Sequence, residues 1–138
     1  FLFIENRKIQ ELKNRINLAR STVVTIKKRF DDLNFSTIAE EPGISWNFWM
    51  YPVLAPVGVD TGEIVKKMEA QGFEIGLPYQ RTIRLAKEYW EYKDSCENIE
   101  KNSSRIFTIP SPHQFSKNNL EKFIDAFSLS IRSLNVHK

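Results

Sequence analysis

One row of apolar residues constrains this chain more than any other feature: Ile9, Leu12, Ile16, Ala19, Val23, Ile26, Phe30 and Leu33 recur at steps of three and four without a miss. On a helix of about 3.6 residues per turn, such steps keep the side chains on a single stripe, so the segment is expected to be one uninterrupted helix. No Gly or Pro breaks it, and at about 1.5 Å per residue it would run roughly 40 Å. That is longer than a small domain needs. Helices of this kind bridge two domains or pack on a partner chain. Residues 1–30 hold eight Lys and Arg against Glu5 and Glu11, a local charge of +6 in a chain whose net charge is +3. These basic groups lie off the stripe, where solvent or an acidic neighbour can reach them.

Beyond Asn34 the character changes. The run 36–45 is polar and contains Pro42-Gly43, a turn signal, so a loop is expected there. Residues 47–57 (NFWMYPVLAPV) are aromatic and β-branched with two prolines, which suits an edge or interrupted strand. Asp60 stands three residues before Glu63 in a capping-box-like pair, and Gly72 supplies the left-handed C′ position, so a helix is expected between them with Ile64, Val65 and Met68 on its buried face. Residues 73–79 (FEIGLPY) read as a short strand stopped by Pro78. The charged stretch 81–103 reads as one or two short helices or an ordered loop. Residues 105–110 (RIFTIP) read as another strand. A last helix is expected from the N-cap Ser116, carrying Leu120, Phe123, Ile124, Phe127 and Ile131 on one side. The result is an α/β fold: a small sheet of about three strands covered by helices, preceded by the long bridging helix. The helix would occupy 1–34 and the globular domain 35–138.

At 138 residues, 41% hydrophobic and 27% charged, the chain has the material for one core. Its opening, FLFIENRKIQ, reads as internal sequence from a longer protein rather than a targeting signal. No apolar run reaches the ~20 residues that cross a bilayer, and the single Cys96 has no internal partner. A cytoplasmic protein is expected. Two His and one Cys without ligand spacing argue against a metal site, and Gly58, Gly62, Gly72 and Gly76 form no phosphate-binding loop. His113 would need a positioned partner to act as a base, and His137 lies in the C-terminal tail. Trp46, Phe48, Trp49 and Tyr51 are better explained by core and interface packing than by base stacking, because they are not interleaved with the basic helix. No catalytic constellation emerges.

The order of elements, with the wording of GEIVKKMEAQGFEI (62–75), LPY (77–79), FTIPSPHQFS (107–116) and NNLEKFIDAF (118–127), resembles the C-terminal small domain of the DegT/StrS sugar aminotransferases, a fold-type-I pyridoxal-phosphate family. The likeness runs from the long helix to about Leu134. Pro78 stands where the family has His, and Gln80 where it has Pro. The resemblance implies a parent enzyme whose separate N-terminal large domain holds pyridoxal phosphate on a lysine, leaving this chain without a catalytic or cofactor-binding residue of its own and inactive alone. It also implies a homodimer, a nucleotide-sugar substrate, and a loop at the substrate entrance formed by Tyr79, Gln80 and Arg81. The plain alternative for that loop is a turn whose Tyr packs and whose Arg is solvated. The rival reading of the chain is a non-catalytic interaction module that associates through the heptad helix. Nucleic-acid binding by the basic helix ranks last, and membrane association has no support.

Overall fold

A computed structural model describes residues 2–38, 42–43, 46–93, 95–110 and 112–135. Helix α1 (Leu2–Asp31) is the expected long helix. It ends where Asn34 takes a left-handed conformation at φ 62° and the Phe35 N–H reaches back 2.9 Å to the Phe30 carbonyl. After Gly, Asn is among the residues that best tolerate this cap. The stripe on α1 divides in two. Ala19, Val23, Ile26 and Phe30 are buried in the core, whereas Ile9 and Leu12 are more than half exposed. The second half of α1 therefore belongs to the same core as residues 35–138, and the first half projects beyond it.

Strands β1 (Ser36–Thr37), β2 (Met50–Leu54) and β3 (Ile106–Pro110) form an antiparallel sheet in the order β1-β2-β3. Its composition differs from the sequence reading in two places. Ser36 and Thr37, expected in a loop, pair with Leu54 and Val53. The strand expected over 73–79 is reduced to one bridge, Gly76 with Thr108, closed by bonds of 2.9 and 2.8 Å. Pro78 has no N–H to extend that ladder, and a Cβ at Gly76 would stand 3.0 Å from the Thr108 hydroxyl, so a larger residue there would require that side chain to shift.

Helix α2 (Thr61–Glu69) is capped as expected, with the Asp60 carboxylate accepting the Glu63 N–H at 3.1 Å. It is followed by Gly72 at φ 80°, where the Phe73 N–H returns to the Met68 carbonyl. Ile64 and Met68 are buried and Val65 is half-buried. The charged stretch forms two short helices, α3 (Thr82–Trp90) and α4 (Glu97–Asn102). A 3-10 turn (Pro112–Gln114) precedes α5 (Lys117–Asn135), whose cap is the Ser116 hydroxyl accepting from the Asn119 N–H.

The core gathers on one face of the sheet. Phe30 stacks on Phe127 with centroids 4.2 Å apart, and Phe35 and Phe107 complete a four-ring cluster. Such aromatic contacts add about 0.5–1.5 kcal/mol each beyond area burial. Tyr51 and Val53 of β2 and Phe107 and Ile109 of β3 are the inward residues. Register fixes the other face: Met50 pairs with Pro110, Pro52 with Thr108, and Leu54 with Ile106. Five of those six residues are apolar, where a sheet face left to water would be polar.

Candidate functional site

A cleft of about 340 Å³ at the Met50 end of β2 is lined by Ile38, Trp46, Asn47, Phe48, Trp49, Met50, Tyr51, Pro52, Tyr79 and Thr108. Its shape starts at Phe48. That residue is buried and edge-on to Tyr51 at 5.9 Å, yet its backbone is left-handed at φ 48°. A bulky residue in this conformation is strained. The kink puts the two inward side chains, Phe48 and Tyr51, three residues apart instead of two, so Trp49 and Met50 both face outward. Asn47 fixes the turn by accepting the Trp49 N–H at 3.2 Å. Trp46, Trp49 and Tyr79 are 41%, 66% and 44% exposed.

Of the three residues expected at a substrate entrance, Tyr79 lines this cleft. Gln80 and Arg81 follow it in the same turn and are exposed, outside the cleft's lining. The Arg81 carbonyl accepts the Leu85 N–H at 2.9 Å and so opens α3. Of the four aromatics assigned to core and interface packing, Phe48 and Tyr51 are buried in the core, and Trp46 and Trp49 lie at the surface. The signal was present in the run FWMY, because a strand with one inward face cannot bury four large residues in succession.

A second groove of about 240 Å³ lies on the other side of Trp49, between Leu12, Arg15 and Ile16 of α1, Asn47 and His113. Its lining includes no carboxylate that could orient His113 as a base. His137 lies outside the described residues. Cys96 is half-buried at the start of α4, and among the described residues no group of three or more His, Cys, Asp or Glu could hold a metal ion. No described helix is long and apolar enough to cross a membrane.

A polar cluster closes the core where α1 meets β1. Lys27 reaches the Asp31 carboxylate at 2.7 Å and the Thr37 hydroxyl at 3.5 Å, and the Tyr51 hydroxyl donates to the Ile38 carbonyl at 3.2 Å. Burial pushes the Tyr51 phenol above its ordinary range, against the opposing pull of Thr37 and Lys27. The hydrogen bond to Asp31 raises Lys27. Each group has its partner within the fold, which marks the cluster as structural.

No family model and no curated protein sequence matches the chain. Among solved structures, a DegT DnrJ EryC1 StrS aminotransferase from Brucella abortus superposes with a TM-score of 0.65 at 18% identity, over 85% of this chain and 30% of that one. The two share a fold. The chain therefore spans under a third of the length of that aminotransferase, and the likeness is to an architecture of long helix, antiparallel three-stranded sheet and covering helices.

Proposed function

We propose that this chain is the small domain of a pyridoxal-phosphate-dependent aminotransferase acting on a nucleotide-linked sugar, shaping the substrate site and contributing to a homodimer. The observation that carries the reading is the shared fold over 85% of the chain. Two features of the surface support it. The sheet's outer face is apolar and half-exposed, and the first half of α1 presents Ile9 and Leu12 to solvent. Contiguous apolar surface of this kind is what a monomer buries against another body. The missing large domain is the body that the reading supplies.

The residues described here do not fit the cofactor itself. Every described lysine keeps contact with solvent, and none lines a described cleft. A lysine that forms a Schiff base needs burial or a neighbouring cation to lower its pKa. In this reading the cofactor lysine lies in the large domain, and this chain contributes Tyr79, Gln80 and Arg81 from the loop after Leu77. A guanidinium at that loop can hold a carboxylate or diphosphate oxygen pair in a geometry that lysine cannot copy. In the intact enzyme, Arg81→Lys should raise KM for the sugar acceptor while pyridoxal-phosphate content stays normal. Unchanged acceptor kinetics with normal cofactor content would make the loop a structural turn.

The coiled-coil reading loses most of its basis. The buried half of the stripe is occupied within the fold, leaving Ile9, Leu12 and half-exposed Ile16 as its outward members. That is about one heptad, against the three or four that sustain a coiled coil.

A further inference from the structure

Helices α2 and α3 are both nine residues long, and they are supported very differently. α2 is capped by Asp60, is followed by Gly72 in the left-handed region, and buries Thr61, Ile64 and Met68. α3 has none of these supports. Its N-cap, Arg81, makes no side-chain hydrogen bond to the helix, its C-cap, Glu91, stands at φ 52°, and none of its nine residues is buried. The Cβ of a glutamate disfavours that conformation, which glycine takes freely. Ile83 and Ala86 are half-buried, whereas Leu85, Tyr89 and Trp90 are exposed. Arg84 pairs with Glu88 at 3.5 Å and Lys87 with Glu100 of α4 at 3.8 Å, all through exposed side chains, and such pairs add little. A helix shorter than about 12–15 residues is marginal in water unless packing supports it.

The turn that carries Tyr79 depends on this helix. The Thr82 N–H donates to the Tyr79 carbonyl at 3.1 Å, and the Leu85 N–H to the Arg81 carbonyl at 2.9 Å. On the other side of the turn, Gly76 is tied to buried Thr108 of β3 by bonds of 2.9 and 2.8 Å. The segment 77–90 thus has a firm anchor at its start and a weakly held helix at its end. Tyr79, which lines the cleft beside Trp49 and Thr108, lies between the two.

We infer that α3 is a strap that opens and re-forms while the core stays folded, and that its order sets the place of Tyr79 in the cleft. Opening α3 breaks the two bonds that close the turn and leaves the Gly76–Thr108 bridge as the hinge. This goes beyond the aminotransferase reading and stands or falls separately from it, because it is measured on the chain by itself.

The experiment is amide hydrogen exchange followed by NMR. In the unsubstituted chain, the amides of residues 86–90 should be slowed by about tenfold or less relative to an unfolded chain, against about a thousandfold or more in α2 and β3. Low urea should leave the α3 rates unchanged, because a local opening exposes little surface. Ala86→Pro removes an N–H from the middle of α3 and breaks the helix. The urea midpoint of global unfolding should nevertheless stay close to that of the unsubstituted chain, while the resonances of Asn47, Trp49 and Thr108, which share the cleft with Tyr79, shift. Ala86→Gly, which weakens the helix without breaking it, should move the same resonances part of the way in the same direction. Protection in α3 equal to that in α2, a midpoint that falls in Ala86→Pro as far as in a core substitution, or cleft resonances that stay in place in both variants would overturn the inference.

Discussion

Replacing Ile26 and Leu12 separately with alanine measures how far the core reaches along α1. Both changes remove three carbons from the same stripe of the same helix, yet Ile26 is fully buried and Leu12 is 58% exposed. At about 0.8 kcal/mol per buried methylene, Ile26→Ala loses about 2.4 kcal/mol of transfer free energy. The cavity left among Phe30 and its neighbours adds about 1–1.5 kcal/mol, for a total of about 3–4 kcal/mol. Leu12→Ala loses less than half the transfer term, leaves no enclosed cavity, and recovers a few tenths through alanine's helix propensity, so it should cost about 1 kcal/mol or less. Equilibrium urea denaturation followed by far-ultraviolet circular dichroism separates the two, with m unchanged for a two-state transition. Equal losses at both positions would refute the division of the helix into a packed half and a projecting half. A loss below about 1 kcal/mol at Ile26 would refute its place in the core.

The alkaline limb of the stability curve should report the cluster where α1 meets β1. Tyr51 and Lys27 both titrate higher in the folded chain than their ordinary values of 10.0 and 10.5, so their contribution is intact below about pH 10 and is lost as pH rises through the folded values. Thermal melting should be flat from about pH 7 to 9 and fall above about pH 10, less steeply in Tyr51→Phe; an identical slope in that variant would remove Tyr51 from the account. Gly72→Ala should destabilise by about 1–2 kcal/mol in a denaturant titration, because φ is 80° and nothing lies within 4 Å of the added Cβ, leaving backbone strain as the whole effect. Neutral or stabilising behaviour would mean that the left-handed cap after α2 is misplaced.

Local chemistry made the helices legible. The three-four spacing in α1, Asp60 and Gly72 around α2, and Ser116 before α5 each act within a few residues, and each holds in the structure. The sheet was less legible because pairing is non-local. Nothing in Ser36-Thr37 marks a strand until Leu54 and Val53 lie beside it, and FEIGLPY looks like a strand until its ladder is seen to stop after one bridge. Periodicity in α1 identified the apolar side of the helix but could not say which part of that side the chain would cover itself. The aromatic cleft was missed for a related reason. An edge or interrupted strand was expected over residues 47–57, but the left-handed turn at Phe48 that sets where its alternation begins carries no Gly or Asn to announce it.

The cofactor lysine offers the most direct test of the proposal that this chain is one part of a larger aminotransferase. In the polypeptide encoded by the intact reading frame, borohydride reduction should fix pyridoxal phosphate to a single lysine, which mass spectrometry can locate. The account predicts one modified lysine, outside the 138 residues described by this sequence. A modified lysine among these 138, or an intact protein that takes up no pyridoxal phosphate, would contradict it.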